Sequence, residues 1–194
     1  MALTNDSELA DRMERYRSHG ISSNPSQMKQ RPADEIWNYQ QIKLGFNYRM
    51  TDIQAALGIS QMNRLDEFVQ KRNKIAKWYN DELSKLPLQI PIQHKDSYSS
   101  YHLYPIRINL SETKQSQRQI YNALQLSGIN VNLHYIPIYR QPYYESMGFK
   151  AGYCEEAERY HKDALSIPMY PKLSTTQQVY VVESLKLALL EKIS

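Results

Sequence analysis

The stretch GFNYRMTDIQAALG, residues 45–58, places an amide, a phenol and a guanidinium (Asn47, Tyr48 and Arg49) directly before a helix start. Thr51 opens that helix, and Gln54 three residues on completes a capping box. The first turn of a helix has unpaired N–H groups and the positive end of its dipole, so groups just ahead of it face a natural anion site. Asn47 and Arg49 there would supply directed donors to a phosphate or a carboxylate. A plainer reading has Arg49 pairing with a nearby acid while Asn47 stabilises a turn. These residues alone leave both readings open.

A second constellation is NLHYIPIYRQPYY, residues 132–144, with His134, Tyr135, Tyr139, Arg140, Tyr143 and Tyr144. His134 falls at the end of an expected strand, where open sheets build their ligand sites. The tyrosines and prolines after it make a stiff aromatic loop suited to stacking on a ring or a sugar. The alternative is a core histidine with hydrogen-bonded tyrosines. An acid/base role for His134 needs a partner that spacing does not supply. His102, in YHLYPI, is either a pocket residue or a satisfied strand histidine. His19 ends a helix, where its charge suits the dipole, and His94 and His161 read as surface residues. No HExxH, CxxC, Walker loop or GxSxG occurs, so metal, disulfide and serine-hydrolase chemistry have no signal.

The elements that must position these groups are ordinary in bulk. Of 194 residues, 41% are hydrophobic and 23% charged, enough apolar content for a packed core. Tyrosines number 16 against 3 phenylalanines, a bias that suits wet clefts and interfaces as well as cores. The net charge of +4 is spread along the chain with acidic neighbours, and no basic cluster or recognition motif accompanies it. We therefore expect no nucleic-acid partner. Cys154, the single cysteine, excludes an internal disulfide, fits a reducing cytoplasm and reads as a partly buried thiol near a helix start. No apolar run approaches a membrane span, and MALTNDSELA has neither region of a signal peptide. A cytoplasmic location without a membrane partner is expected.

Along the chain, ALT reads as the last residues of a strand, followed by a helix capped by Asn5 or Asp6 with Glu8 in its first turn. Leu9, Met13 and Tyr16 recur at helical spacing, and Gly20 ends the helix. Residues 21–44 form a long polar loop in which Trp37 and Tyr39 suggest packing onto a partner chain. In the helix opened by Thr51, Ile53, Ala56, Leu57 and Ser60 trace one face. A second helix covers about residues 65–86 and is stopped by Pro87. From there strand and helix alternate: LQIPI, YHLYPIRINL, a helix ended by Gly128, INVNLHYIPI as a strand, the loop 139–153, a helix at about 155–165, the strand SIPM, and a last helix with a capping box from Ser174 to Gln177. This order predicts an α/β fold with an α+β small domain, an open sheet with helices on one face.

Five ordered stretches carry a resemblance: LTNDSELADRMERYRSHGI, LGFNYRMTDIQAALGISQMNRLDEFVQKRNKIAKWYNDEL, HLYPIRI, GINVNLHYIPIYRQPYY and AERYHKDALSIPMYPKLS. Together they resemble the DegT/DnrJ/EryC1/StrS family of nucleotide-sugar aminotransferases, which use pyridoxal 5′-phosphate. The resemblance implies the C-terminal part of a fold-type-I transferase. Residues 1–50 would be the remnant of its large cofactor domain with an interface loop, 51–86 linking helices, and 87–194 a small C-terminal domain. It implies transfer of an amino group, typically from glutamate, to a 4-keto-6-deoxy nucleotide sugar of the kind used in pseudaminic acid biosynthesis. No lysine here matches the family's Schiff-base position, so no catalytic residue is assigned and the chain alone is expected to be inactive. By resemblance Asn47 reaches the cofactor phosphate of a partner subunit, Arg49 lies near the substrate, and His134 and Tyr135 line the nucleotide-sugar side. A homodimer, or complementation by an N-terminal half, is implied. The competing expectation is a non-catalytic binding or regulatory module derived from the same small domain. The two differ in solution behaviour: a half-enzyme exposes apolar surface and self-associates, whereas an adapted module is monodisperse.

Overall fold

A computed structural model describes residues 2–30 and 38–190. Trp37, expected to pack its loop onto a partner, lies outside them. The chain divides into two compact units, Met1–Asn63 and Arg64–Ser194.

In the first unit, helix α1 (Ser7–Arg17) starts where Asp6 accepts a hydrogen bond from the Leu9 N–H at 3.1 Å, with Glu8 in its first turn. The strand expected over residues 2–4 does not form. Thr4 Oγ1 instead accepts from the Asp6 N–H at 3.1 Å, a local bond that competes with strand pairing. The helix ends at Arg17, and both Ser18 and Gly20 donate their N–H groups back to the Arg15 carbonyl. Gly20 has φ +72°, and a Cβ there would lie 1.8 Å from the Lys43 carbonyl oxygen, so only glycine fits the approach. Strand β1 (Ile21–Ser22) pairs antiparallel with β2 (Gln40–Gln41), Ile21 opposite Gln41, which draws the two ends of the long loop together. Helix α2 (Asp52–Met62) carries the full capping box. Thr51 Oγ1 accepts from the Gln54 N–H at 3.3 Å, and Gln54 Oε1 accepts from the Thr51 N–H at 3.0 Å. The face expected to pack does not: Ile53, Ala56, Leu57 and Ser60 are all exposed, and no residue of α2 is buried.

The second unit begins with α3 (Leu65–Leu83), whose Ile75, Ala76, Tyr79 and Leu83 are buried one helical turn after another. It closes at Leu83, ahead of the Pro87 stop, where the Leu86 N–H turns back to the Leu83 carbonyl at 3.0 Å. There follow β3 (Leu88–Gln89), β4 (Tyr104–Ile108), α4 (Gln117–Leu126), the short α5 (Pro142–Glu145), α6 (Glu155–Asp163), β5 (Ala164–Ile167) and α7 (Thr175–Leu190). The sheet runs β3-β4-β5, antiparallel throughout, with Leu88 opposite Ile108 and Ile106 opposite Leu165. Tyr104, Ile106 and Ile108 are buried and alternate with half-buried Pro105 and Arg107, as a strand covered on one face requires. That face joins a single apolar core with Tyr79 and Leu83 of α3, Ile120 and Leu124 of α4, and Val182 and Leu185 of α7. On the other face Arg107 grips Asp163 at the end of α6 through two hydrogen bonds, at 2.9 and 2.7 Å.

The strand expected from INVNLHYIPI is reduced to one bridge, Asn132 with Ser166 of β5, whose N–H groups each reach the other's carbonyl. Beyond it Pro137 has no N–H to give, and a 3₁₀ turn, Ile138–Arg140, begins. The Asn132 side chain accepts from the Leu133 N–H at 2.8 Å, which takes a donor away from any longer ladder.

Candidate functional site

Asn47, Tyr48 and Arg49 are set by the end of α1. The Phe46 N–H donates to the Tyr16 carbonyl at 2.7 Å, the Tyr48 N–H to Arg17 at 3.0 Å, and the His19 N–H to Phe46 at 2.9 Å. Asn47 thus sits opposite Ser18 in an isolated antiparallel bridge. Arg49 donates from Nε to Ser18 Oγ at 3.2 Å and forms no ion pair with a carboxylate among the described residues. The Phe46 and Tyr48 rings stack with centroids 5.0 Å apart, although Tyr48 is largely exposed. Three residues on, Thr51 starts α2. An amide and a guanidinium are therefore held in solvent ahead of a capped helix end, a donor array suited to an anion. Neither Ser18 nor the stitching to α1 was legible beforehand, since both depend on pairing between segments far apart in the chain.

In the second unit His134 is half-buried, and its Nδ1 lies 2.9 Å from Ser166 Oγ on β5. The sequence could not supply this partner; it is a buried hydroxyl that orients the ring. Tyr135 meets the imidazole edge-on at 4.7 Å and is exposed. The structure so joins His134 with Tyr135, and Asn47 with Arg49, each pair within one unit. Downstream, Tyr139, Tyr153, Phe149, Tyr144 and Tyr143 form a run of ring contacts with centroids 5.0–6.3 Å apart. Tyr139 donates its hydroxyl toward the Cys154 carbonyl and Glu158, both at 3.0 Å. Burial pushes that phenol above its ordinary value, and the Glu158 bond adds to the shift.

The remaining candidates are less convergent. His102 is exposed, and its carbonyl accepts from Arg72 at 3.0 Å. His19 is exposed with φ +62°, and His94 lies at the surface beside Asp96. His161, expected at the surface, is half-buried, with Nδ1 unpartnered among the described residues. Cys154, expected to be partly buried, is exposed at the start of α6. Among the described residues no helix is long and apolar enough to cross a membrane.

Residues 1–186 match the model of the DegT/DnrJ/EryC1/StrS aminotransferase family. An uncharacterized protein of Methanocaldococcus jannaschii is 33% identical over 188 residues, covering 96% of this chain and 48% of its own length. The UDP-4-amino-4,6-dideoxy-N-acetyl-β-L-altrosamine transaminase of Campylobacter jejuni is 33% identical over 192 residues, covering 98% of this chain and 48% of its own. Among solved structures, the Helicobacter pylori aminotransferase PseC, involved in the biosynthesis of pseudaminic acid, superposes with a TM-score of 0.82 at 28% identity. It covers 96% of this chain and 47% of its own. The chain spans about half the length of the curated relatives it matches.

Proposed function

This chain belongs to the DegT/DnrJ/EryC1/StrS aminotransferase family, and from that premise we propose that it forms the C-terminal half of a nucleotide-sugar aminotransferase. The enzyme would move an amino group from an amino acid, glutamate in the first instance, to a 4-keto-6-deoxy sugar carried on a nucleotide. The observation that carries this reading is the match, over 98% of the chain, to a transaminase named for a UDP-linked amino sugar. The donor array ahead of α2 supports it, because a directed amide and guanidinium suit the phosphate of pyridoxal phosphate and an anionic substrate. Asn47 would hold the cofactor phosphate of a partner subunit, and Arg49 would orient the substrate. When bound, the cofactor supplies an electron sink for the amino group's carbon. His134, oriented by Ser166, and Tyr135 would line the nucleotide-sugar side, where the tyrosine-rich loop offers ring faces for stacking. Since no lysine here matches the Schiff-base position, the chain alone is proposed to be inactive. The exposed apolar residues of α2, Ile53 at 84% and Leu57 at 62%, favour a half-enzyme over a free-standing binding module.

The test is Asn47→Ala and Arg49→Ala at the matching positions of a full-length relative. Cofactor or substrate binding should weaken with thermal stability nearly unchanged. Kinetic constants unaltered in both variants would refute the assignment.

A further inference from the structure

We propose that Glu158 is a positioning residue for the nucleotide-sugar site, a carboxylate clasp that fixes the aromatic loop 139–153, which follows His134 and Tyr135 in the chain; the inference rests on the functional reading above. Three donors from that one loop converge on it. Oε1 accepts from the Tyr139 hydroxyl at 3.0 Å and from the Gly152 N–H at 2.6 Å, while Oε2 lies 3.8 Å from Nη1 of Arg140. Tyr139 and Arg140 begin the loop and Gly152 ends it, so a single carboxylate joins its two ends. Gly152 itself sits at φ +85°, a conformation that glycine adopts without the strain a side chain would add.

An isolated acid on an exposed helix makes one weak, interchangeable contact. Its neighbour Glu156 does this, pairing with Arg159 one turn along α6. Glu158 instead satisfies a backbone donor, a phenol and a cation together, and the Gly152 N–H bond, followed by the Tyr139 bond, holds its carboxyl below the usual range. It is charged at neutral pH. Within the loop the rings of Tyr139, Tyr153, Phe149 and Tyr144 touch one another in sequence, with Tyr139 and Phe149 half-buried. Tyr143 and Tyr153 still expose 66% and 69% of their surface. A loop ordered in advance presents those faces without the entropy loss that a floppy loop incurs on binding. The segment is thus tied at both ends, His134 to Ser166 on β5 and the loop to Glu158 on α6.

The experiment compares the wild-type chain with Glu158→Ala and Glu158→Gln. Amide hydrogen exchange is read across 139–153, and affinity for UDP-N-acetylglucosamine is read by NMR titration. Glu158→Ala should speed loop exchange about tenfold or more, leave the buried amides of β4 unchanged, and weaken the probe's binding several-fold. Glu158→Gln keeps an acceptor for Tyr139 and Gly152 and should restore most of both. Loop exchange unaltered in Glu158→Ala would overturn the clasp. A loosened loop with undiminished probe affinity would overturn its role in positioning substrate. Failure of the wild-type chain to bind the probe would overturn the substrate half of the inference and count against the functional reading itself, while exchange still decides whether Glu158 orders the loop.

Discussion

Replacing Arg72 by methionine keeps the aliphatic stem and removes only the donors, which makes it a clean probe of how the second unit is tied together. One guanidinium nitrogen, Nη1, donates to the carbonyls of Tyr101 at 2.9 Å, His102 at 3.0 Å and Met169 at 3.4 Å. It joins α3 to the turn before β4 and to the segment after β5. Tyr101 is buried and sits at φ +45°, a left-handed conformation that costs a tyrosine about 1–2 kcal/mol and persists only where surroundings hold it. Counting the two shorter bonds at about 1–1.5 kcal/mol each, and the long third as little, Arg72→Met should cost about 2–3 kcal/mol. For a unit of this size that lowers the melting temperature by roughly 8–12 °C. Urea denaturation followed by Trp78 fluorescence, in a Trp37→Phe background, measures it. Arg72→Lys should recover part of the loss, because an ammonium reaches one or two of the carbonyls as a point donor. A destabilisation below about 0.5 kcal/mol for Arg72→Met would refute the reasoning and mean that water serves those carbonyls equally well.

Two further outcomes follow from the same geometry. Gly20→Ala forces a Cβ to 1.8 Å from the Lys43 carbonyl at φ +72°, so it should cost roughly 3 kcal/mol or more and shift the Asn47 amide resonance. Gly58→Ala, mid-helix with nothing within 4 Å of its Cβ, should stabilise α2 by about 0.5–1 kcal/mol; equal effects at both sites would contradict the argument. Burial pushes the Tyr79 and Tyr104 phenols above their ordinary value, with the Tyr104 hydroxyl donating to Asn80 Oδ1 at 2.6 Å. Only the unfolded chain then ionises them at ordinary tyrosine pH. Their contribution is fully present below that range and is lost progressively as pH climbs from it toward the raised folded-state values, and Tyr79→Phe/Tyr104→Phe should flatten the alkaline slope of stability.

What the sequence revealed, and what it concealed, divides along the range of the interaction involved. The capping boxes at Thr51 and Ser174, the cap at Asp6 and the stop at Gly20 are each settled within a few residues, so residue type and spacing identify them. The alternation in YHLYPIRINL survives as β4 because both its neighbours pair with it. INVNLHYIPI shows similar alternation yet yields one bridge, since Pro137 and the Asn132 side chain withdraw the hydrogen bonds that a ladder needs. Ile53, Ala56, Leu57 and Ser60 do trace one face of α2, but a face states only where cover would go, and Ile53 and Leu57 find none in their own unit.

The candidate site obeys the same division. Asn47, Arg49, His134 and Tyr135 stand out by type beside a helix start or a strand end. Arg49 and His134 are each met by a serine, at the end of α1 and on β5, and the loop after Tyr135 is held by a glutamate on α6. Ser18, Ser166 and Glu158 are common surface types, and their roles arise from contacts between segments up to 32 residues apart. A residue that binds is visible through its chemistry, whereas one that positions is visible only through its partners. The faint signal available for Glu158 was its place in the first turn of α6, six residues beyond a glycine whose N–H it accepts. Such a spacing gains meaning only once the intervening loop is known to fold back on itself.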